Sequence, residues 1–142
     1  MREADRLYTI LTHDLGLVRA SASGVRKEES KLRGALEPLA LSNVSLVRGK
    51  EYWRITSAES IRRIPLTDGL ARALALLERL VQGESPHPEL FDVVETYLEA
   101  EESILVGHIL LHLGYLKAED LKLEKQELVK AINDGLRESH LA

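Results

Sequence analysis

The chain has 142 residues, enough for one domain or two small ones, and 44% apolar with 30% charged residues describes a folded protein, not a disordered one. It has no cysteine, which excludes disulfides, Cys-ligated zinc and thiol nucleophiles and fits a reducing cytoplasm; no apolar run approaches the ~20 residues of a membrane helix. The formal net charge of −4 hides an asymmetry: residues 1–64 hold 12 Lys and Arg against 8 Asp and Glu, and residues 65–142 hold 7 against 15, so only the first half suits a polyanion.

Residues 1–20 carry Arg2, Glu3, Asp5, Arg6, Asp14 and Arg19 with no apolar signal-peptide core, so secretion is not expected. Residues 6–13 alternate apolar and polar side chains, Asp14-Leu15-Gly16 reads as a turn, and 17–23 alternates Val18, Ala20 and Ala22 against Arg19, Ser21 and Ser23. Together they predict a hairpin. The stretch 24–34 is polar and basic, bracketed by Gly24 and Gly34, and reads as an exposed loop. Strand character returns at 39–48, Gly49-Lys50 reads as a tight turn, and 51–58 predicts another strand. Short strands at this spacing suggest a small β-barrel or sandwich.

Pro65 marks a change of period. Thr67 or Asp68 can cap a helix to about Gln82, with Leu70, Leu74, Leu77, Leu80 and Val81 in one stripe. Pro88 suits the first turn of a second helix over 88–100. A third, 102–113, is apolar nearly all round and predicts the buried centre, ending at Gly114. The last, 121–138, places Leu121, Leu128, Val129, Ile132 and Leu136 on one face. The expected fold class is α+β: a β domain over 1–64 and an all-helical domain over 65–142.

Several stretches carry a resemblance. They are Glu3-Ala4-Asp5-Arg6-Leu7, 13–20 (HDLGLVRA), Gly24-Val25-Arg26-Lys27, 30–38 (SKLRGALEP), Leu46-Val47-Arg48-Gly49 and 53–59 (WRITSAE). In order and spacing, nearly all of residues 2–60 resembles the N-terminal domain of the RecO family of bacterial recombination mediators. The helical half resembles it more weakly, through helix order, Leu113-Gly114-Tyr115 and Ser139-His140-Leu141. The resemblance implies an OB-fold-like barrel followed by helices, with no enzymatic activity. It implies binding of single- and double-stranded DNA, strand annealing in DNA repair, and assistance to RecA loading. Its implied partners are RecR and the acidic tail of single-strand-binding protein, with no membrane. Two departures concern the chain itself. Family members have about one more strand before the residues matching Arg2-Glu3-Ala4, so either translation starts upstream of Met1 or the barrel is open at one edge. Many also hold zinc through cysteines, and this chain has none, so no cofactor is expected.

Among individual residues, Arg26, Lys27, Lys31 and Arg33 form the strongest phosphate-binding candidate, and the family's basic loop falls on these positions. The competing reading is a solvated charged loop, diluted by Glu28 and Glu29. Arg19, Arg48, Lys50 and Arg54 can extend the basic surface or simply confer solubility. Tyr52 and Trp53 are adjacent on a strand and so face opposite ways; Trp53 shares the parity of Ile55, which leaves Tyr52 as the base-stacking candidate. With so few aromatics, phosphate contacts should dominate binding. His108 and His112 sit four apart on one helix face, as a metal pair does, but lack the glutamate of a zincin motif and interrupt a very apolar helix, which favours packing. Glu95, Glu99, Glu101 and Glu102 read as a solvated acidic face. Two alternatives to DNA binding stay open: an adaptor that docks RecR or the single-strand-binding protein through an open sheet edge, and a metalloenzyme built on the two histidines.

Overall fold

The alternation that begins at Arg6 produces the expected hairpin. The computed structural model describes residues 6–22, 26–37 and 39–139; the expectation about a strand before Arg2 lies outside them. Strands β1 (Arg6–Thr12) and β2 (Gly16–Ala22) pair antiparallel without register shift. The turn is tied by Thr12, whose Oγ1 donates to the Gly16 carbonyl (2.8 Å) and accepts from the Leu15 N–H (2.9 Å). Gly16 has φ +80°, which a side chain rarely tolerates.

Strands β3 (Ala40–Arg48) and β4 (Trp53–Arg63) form a second antiparallel pair, with register shifts at Leu41/Ser42 and Ser45/Leu46. A short parallel ladder, Ala20↔Trp53 and Ser21↔Arg54, joins the pairs into one sheet of order β1-β2-β4-β3. The sheet is open: among the described residues β1 and β3 are edges, and no barrel closes.

Between the two hairpins the structure departs from the sequence reading. The basic stretch is a helix, α1 (Arg26–Leu36), not a loop. Lys, Glu, Leu and Arg are good helix formers, and Leu32 and Leu36 lie four apart on one face. That face covers the sheet: Leu32 is buried with Ala20, Ala22 and Ile55, and Tyr8, Ile10, Leu36, Leu46, Trp53 and Ala58 pack around them. The C-terminal carbonyls of α1 find donors on the strands. Arg63 donates to the carbonyls of Gly34 and Glu37, and Ser42 Oγ donates to that of Ala35 (2.9 Å). A cation at this end also complements the helix dipole.

Tyr8 donates its hydroxyl to the Glu37 carboxylate (3.0 Å), and Arg6 lies 3.5 Å from the same group. Burial, and then the neighbouring carboxylate, push the Tyr8 phenol up to about 12. A raised phenol holds its proton longer folded than unfolded. This contribution to stability is therefore intact below the ordinary value of 10.0 and is lost as pH rises towards about 12. The expected result is an alkaline drop in melting temperature that Tyr8→Phe removes; equal drops in both proteins would contradict the assignment.

The chain divides into two compact units, Met1–Leu66 with Gln82–Pro86, and Thr67–Val81 with His87–Ala142. In the second unit α2 (Asp68–Leu80) starts at Thr67, whose hydroxyl accepts from the Leu70 N–H (3.1 Å). Next come α3 (Pro88–Tyr97), with proline in its first turn, and α4 (Glu102–Leu113). Helix α4 packs against α2, α3 and the last helix, α5 (Lys125–Glu138), and buries Leu105, Val106, Ile109 and Leu110, so it is the expected centre. Gly114, at φ +89°, donates to Leu110 and Leu111 and ends it. The predicted single helix 121–138 is instead a 3-10 turn (Ala118–Lys122) followed by α5; the Asp120 carboxylate accepts from the Lys117 N–H (2.9 Å) and holds the turn apart.

Candidate nucleic-acid interface

Strand register places the candidate residues. One row crosses the sheet as Leu7↔Ser21↔Arg54↔Val47, and the adjacent row as Tyr8↔Ala20↔Trp53↔Arg48. Successive residues of a strand point to opposite faces. The second row faces α1, since Tyr8, Ala20 and Trp53 belong to its core. The first row therefore lies on the open face. Arg19, which pairs with Thr9, shares that face because it is two residues from Ser21. Arg19 and Arg54 are exposed there, as are Leu7 (37%) and Val47 (44%). Two guanidiniums on neighbouring strands, beside apolar side chains and hydroxyls, suit a chain of phosphates joined by apolar units.

The tip between β3 and β4 is built differently. Arg48 stacks over the Trp53 ring, 4.4 Å from its centroid, and donates to both oxygens of Glu84 (3.0 and 3.2 Å). Trp53 Nε1 donates to the same carboxylate. Those hydrogen bonds hold the Glu84 carboxyl below its ordinary value. Arg48 thus already has an anion, supplied by the segment 82–86, which packs against the hairpin closely enough that a Cβ on Gly16 would strike the Ser85 carbonyl. Lys50 is exposed beside it. Gly49 leaves room for the Tyr52 carbonyl, and Tyr52 is half-buried in this turn, outside both rows. No aromatic ring lies in the open-face row.

The four cations of the basic stretch do not form one loop. Lys31 is exposed on α1, on the opposite side of the sheet from Arg19 and Arg54. Arg33 is half-buried, and its charge acts on Tyr8 within the unit. The side chains of Arg26 and Lys27 lie outside the described residues. The seven candidates with described side chains therefore separate into an open-face pair (Arg19, Arg54), a tip (Arg48, Lys50, Tyr52) and a helix (Lys31, Arg33). Helix periodicity resting on Leu32 and Leu36 alone, with a glycine at 34, was too thin a signal for α1.

In the helical unit, the His108 ring stacks on Tyr97 (centroids 3.7 Å apart, 8° between planes), and its burial lowers its pKa. His112 meets His87 edge-on at 6.2 Å. Both histidines are engaged in ring packing, and among the described residues no group of three His, Asp or Glu is placed to hold a metal. Of the acidic cluster, Glu102 accepts two hydrogen bonds from Arg72 (2.8 Å each) and Glu101 pairs with Lys125. No helix among the described residues is long and apolar enough to cross a membrane.

Residues 1–64 match the family described as recombination protein O N terminal. Curated relatives named DNA repair protein RecO include that of Trichodesmium erythraeum, 36% identical over 109 residues, which cover 72% of this chain and 38% of the relative. That of a Synechococcus strain is 35% identical over 138 residues, covering 78% and 47%. That of a Nostoc strain is 33% identical over 126 residues, covering 82% and 42%. The chain thus spans less than half the length of these relatives.

Proposed function

We propose, from the match of residues 1–64 to the recombination protein O N-terminal family and the likeness to relatives named DNA repair protein RecO, that the β unit of this chain is a non-enzymatic DNA-binding module of recombinational repair. The observation that carries the reading is the open face of the sheet, where Arg19 and Arg54 stand exposed on adjacent strands. A single strand crosses that face and meets both guanidiniums and, at the tip, Lys50. Without a ring in the row, recognition rests on phosphates and is indifferent to sequence. The acidic helical unit contributes no attraction for DNA and is left for protein partners. In this reading the module works in the cytoplasm, neutralises two strands for annealing, and assists RecA through contacts with RecR and the single-strand-binding protein tail.

Three phosphate contacts predict a slope near −2 in log affinity against log salt, hence about a 20-fold loss between about 50 and 200 mM salt. Fluorescence anisotropy with a single-stranded 30-mer measures it. An affinity that ignores salt would remove phosphate recognition from the account.

Glu84→Gln gives a separate expected outcome. Neutralising the carboxylate releases Arg48 from its internal anion, so affinity should rise about threefold and the salt slope should steepen by about 0.7. If titration of this variant superimposes on the wild type, Arg48 has no part in binding.

A further inference from the structure

The anion that Arg48 holds belongs to its own chain. Glu84 accepts three hydrogen bonds there: two from Arg48 Nη1, at 3.0 and 3.2 Å, and one from Trp53 Nε1. A guanidinium and an indole N–H converging on two oxygens suit a phosphodiester as well as a carboxylate, because both carry a pair of charged oxygens on one centre. The donors do not depend on Glu84 for their placement. Arg48 lies over the Trp53 ring, 4.4 Å from its centroid, and Trp53 packs against the core of the β unit. Donors held in this way stay in place when the occupant leaves.

The occupant is lightly held. The Glu84 side chain is 37% exposed and that of Arg48 66%, so water and salt reach the pair and screen it. Hydrogen bonds from this one carboxylate tie segment 82–86 to the second hairpin. The glutamate can swing out by side-chain rotation alone, with the backbone of Ser85 still resting against Gly16.

We propose that Arg48 and the Trp53 indole N–H form a phosphate site, which the Glu84 carboxylate closes in the free protein and which a phosphodiester of the bound strand opens by taking its place. This rests on the reading that nucleic acid meets the tip, and adds to it one donor, Trp53, and a latch. A ligand that needs the open site binds with its intrinsic affinity scaled by the open fraction. The roughly threefold gain expected of Glu84→Gln corresponds to a site open about one third of the time. The same factor then applies to every anion that uses the site, from a single phosphate to a strand. A carboxylate that merely repelled anions would act differently, opposing the polyanion most and losing its effect as salt rises.

The chain has one tryptophan, so its indole N–H gives one NMR signal. Inorganic phosphate, titrated to about 100 mM against chloride at constant ionic strength, should move that signal. Glu84→Gln should bind phosphate about threefold more tightly. Glu51→Gln removes an exposed charge from the same turn and should change the affinity by less than about 1.5-fold. A single-stranded 30-mer should move the same signal, while anisotropy of the labelled strand reports binding itself. An indole signal that ignores phosphate in both the wild type and Glu84→Gln overturns the proposal, as do equal gains from Glu84→Gln and Glu51→Gln. A strand that binds by anisotropy yet leaves the indole unmoved also overturns it, with the open-face reading intact. Should the strand not bind at all, the DNA-binding reading falls, and the phosphate titration alone supports or overturns the site. The wild-type titrations decide the matter should a variant fail to fold.

Discussion

Reversing Arg19 and Arg54 together, as Arg19→Glu with Arg54→Glu, is expected to weaken binding of a single-stranded 30-mer by more than about 100-fold near 50 mM salt. Each exposed guanidinium–phosphate contact contributes on the order of 1 kcal/mol, and reversal replaces the attraction by a repulsion of similar size. The pair then costs about 3–4 kcal/mol. The salt slope should flatten by about 1.4, two contacts of 0.7 each, which separates a lost phosphate contact from a general loss of folding. Both side chains are exposed on the sheet face away from α1, so the variant should fold and melt within a few degrees of the wild type. Lys31→Glu, on the helix across the sheet, is the matched comparison and should cost about fivefold at most, as a long-range charge effect. Equal losses from the helix and the open face would place the site on the basic stretch of α1 as well.

The second large effect is structural. Gly16→Ala should destabilise the β unit by about 3 kcal/mol or more, lowering its melting temperature by more than about 10 °C. Two costs add. At φ +80° an alanine is strained by roughly 1–2 kcal/mol. Its Cβ also strikes the carbonyl of Ser85, a backbone atom that cannot rotate away as a side chain can. Gly83→Ala separates the two. Gly83 also has positive φ (+78°) but open space around it, so only the strain remains, about 1 kcal/mol. The single tryptophan of the chain, Trp53, lies in the β unit, so its fluorescence follows that unit alone. Similar melting curves for the two alanine variants would show that segment 82–86 does not rest on the hairpin.

Local pattern decided most of what the sequence revealed. Alternation around Val18, Ala20 and Ala22 marked β2, Thr67 and Gly114 marked helix ends, and the unbroken apolar run of 102–113 marked the central helix. Helix α1 has the opposite character: few apolar residues and glycine within it, stabilised by burial of Leu32 and by donors from Arg63 and Ser42 that arrive from strands later in the chain. The candidate site was half legible for the same reason. Strand parity puts Arg19 opposite in face to Val18, and Arg54 opposite to Ile55. What joins them on one surface is the parallel ladder Ser21↔Arg54, a pairing across more than thirty residues that no local periodicity announces. The tie between Arg48 and Glu84 was invisible in the same way, since it links residues 36 apart.

The central claim is that DNA lies across the open face of the sheet. Amide NMR shifts on titrating a short single strand into the protein test it most directly. The account expects the largest changes at Leu7, Arg19, Ser21, Val47 and Arg54, with α1 little affected. Changes concentrated at Lys31 and its neighbours on α1, with those five positions silent, would contradict it.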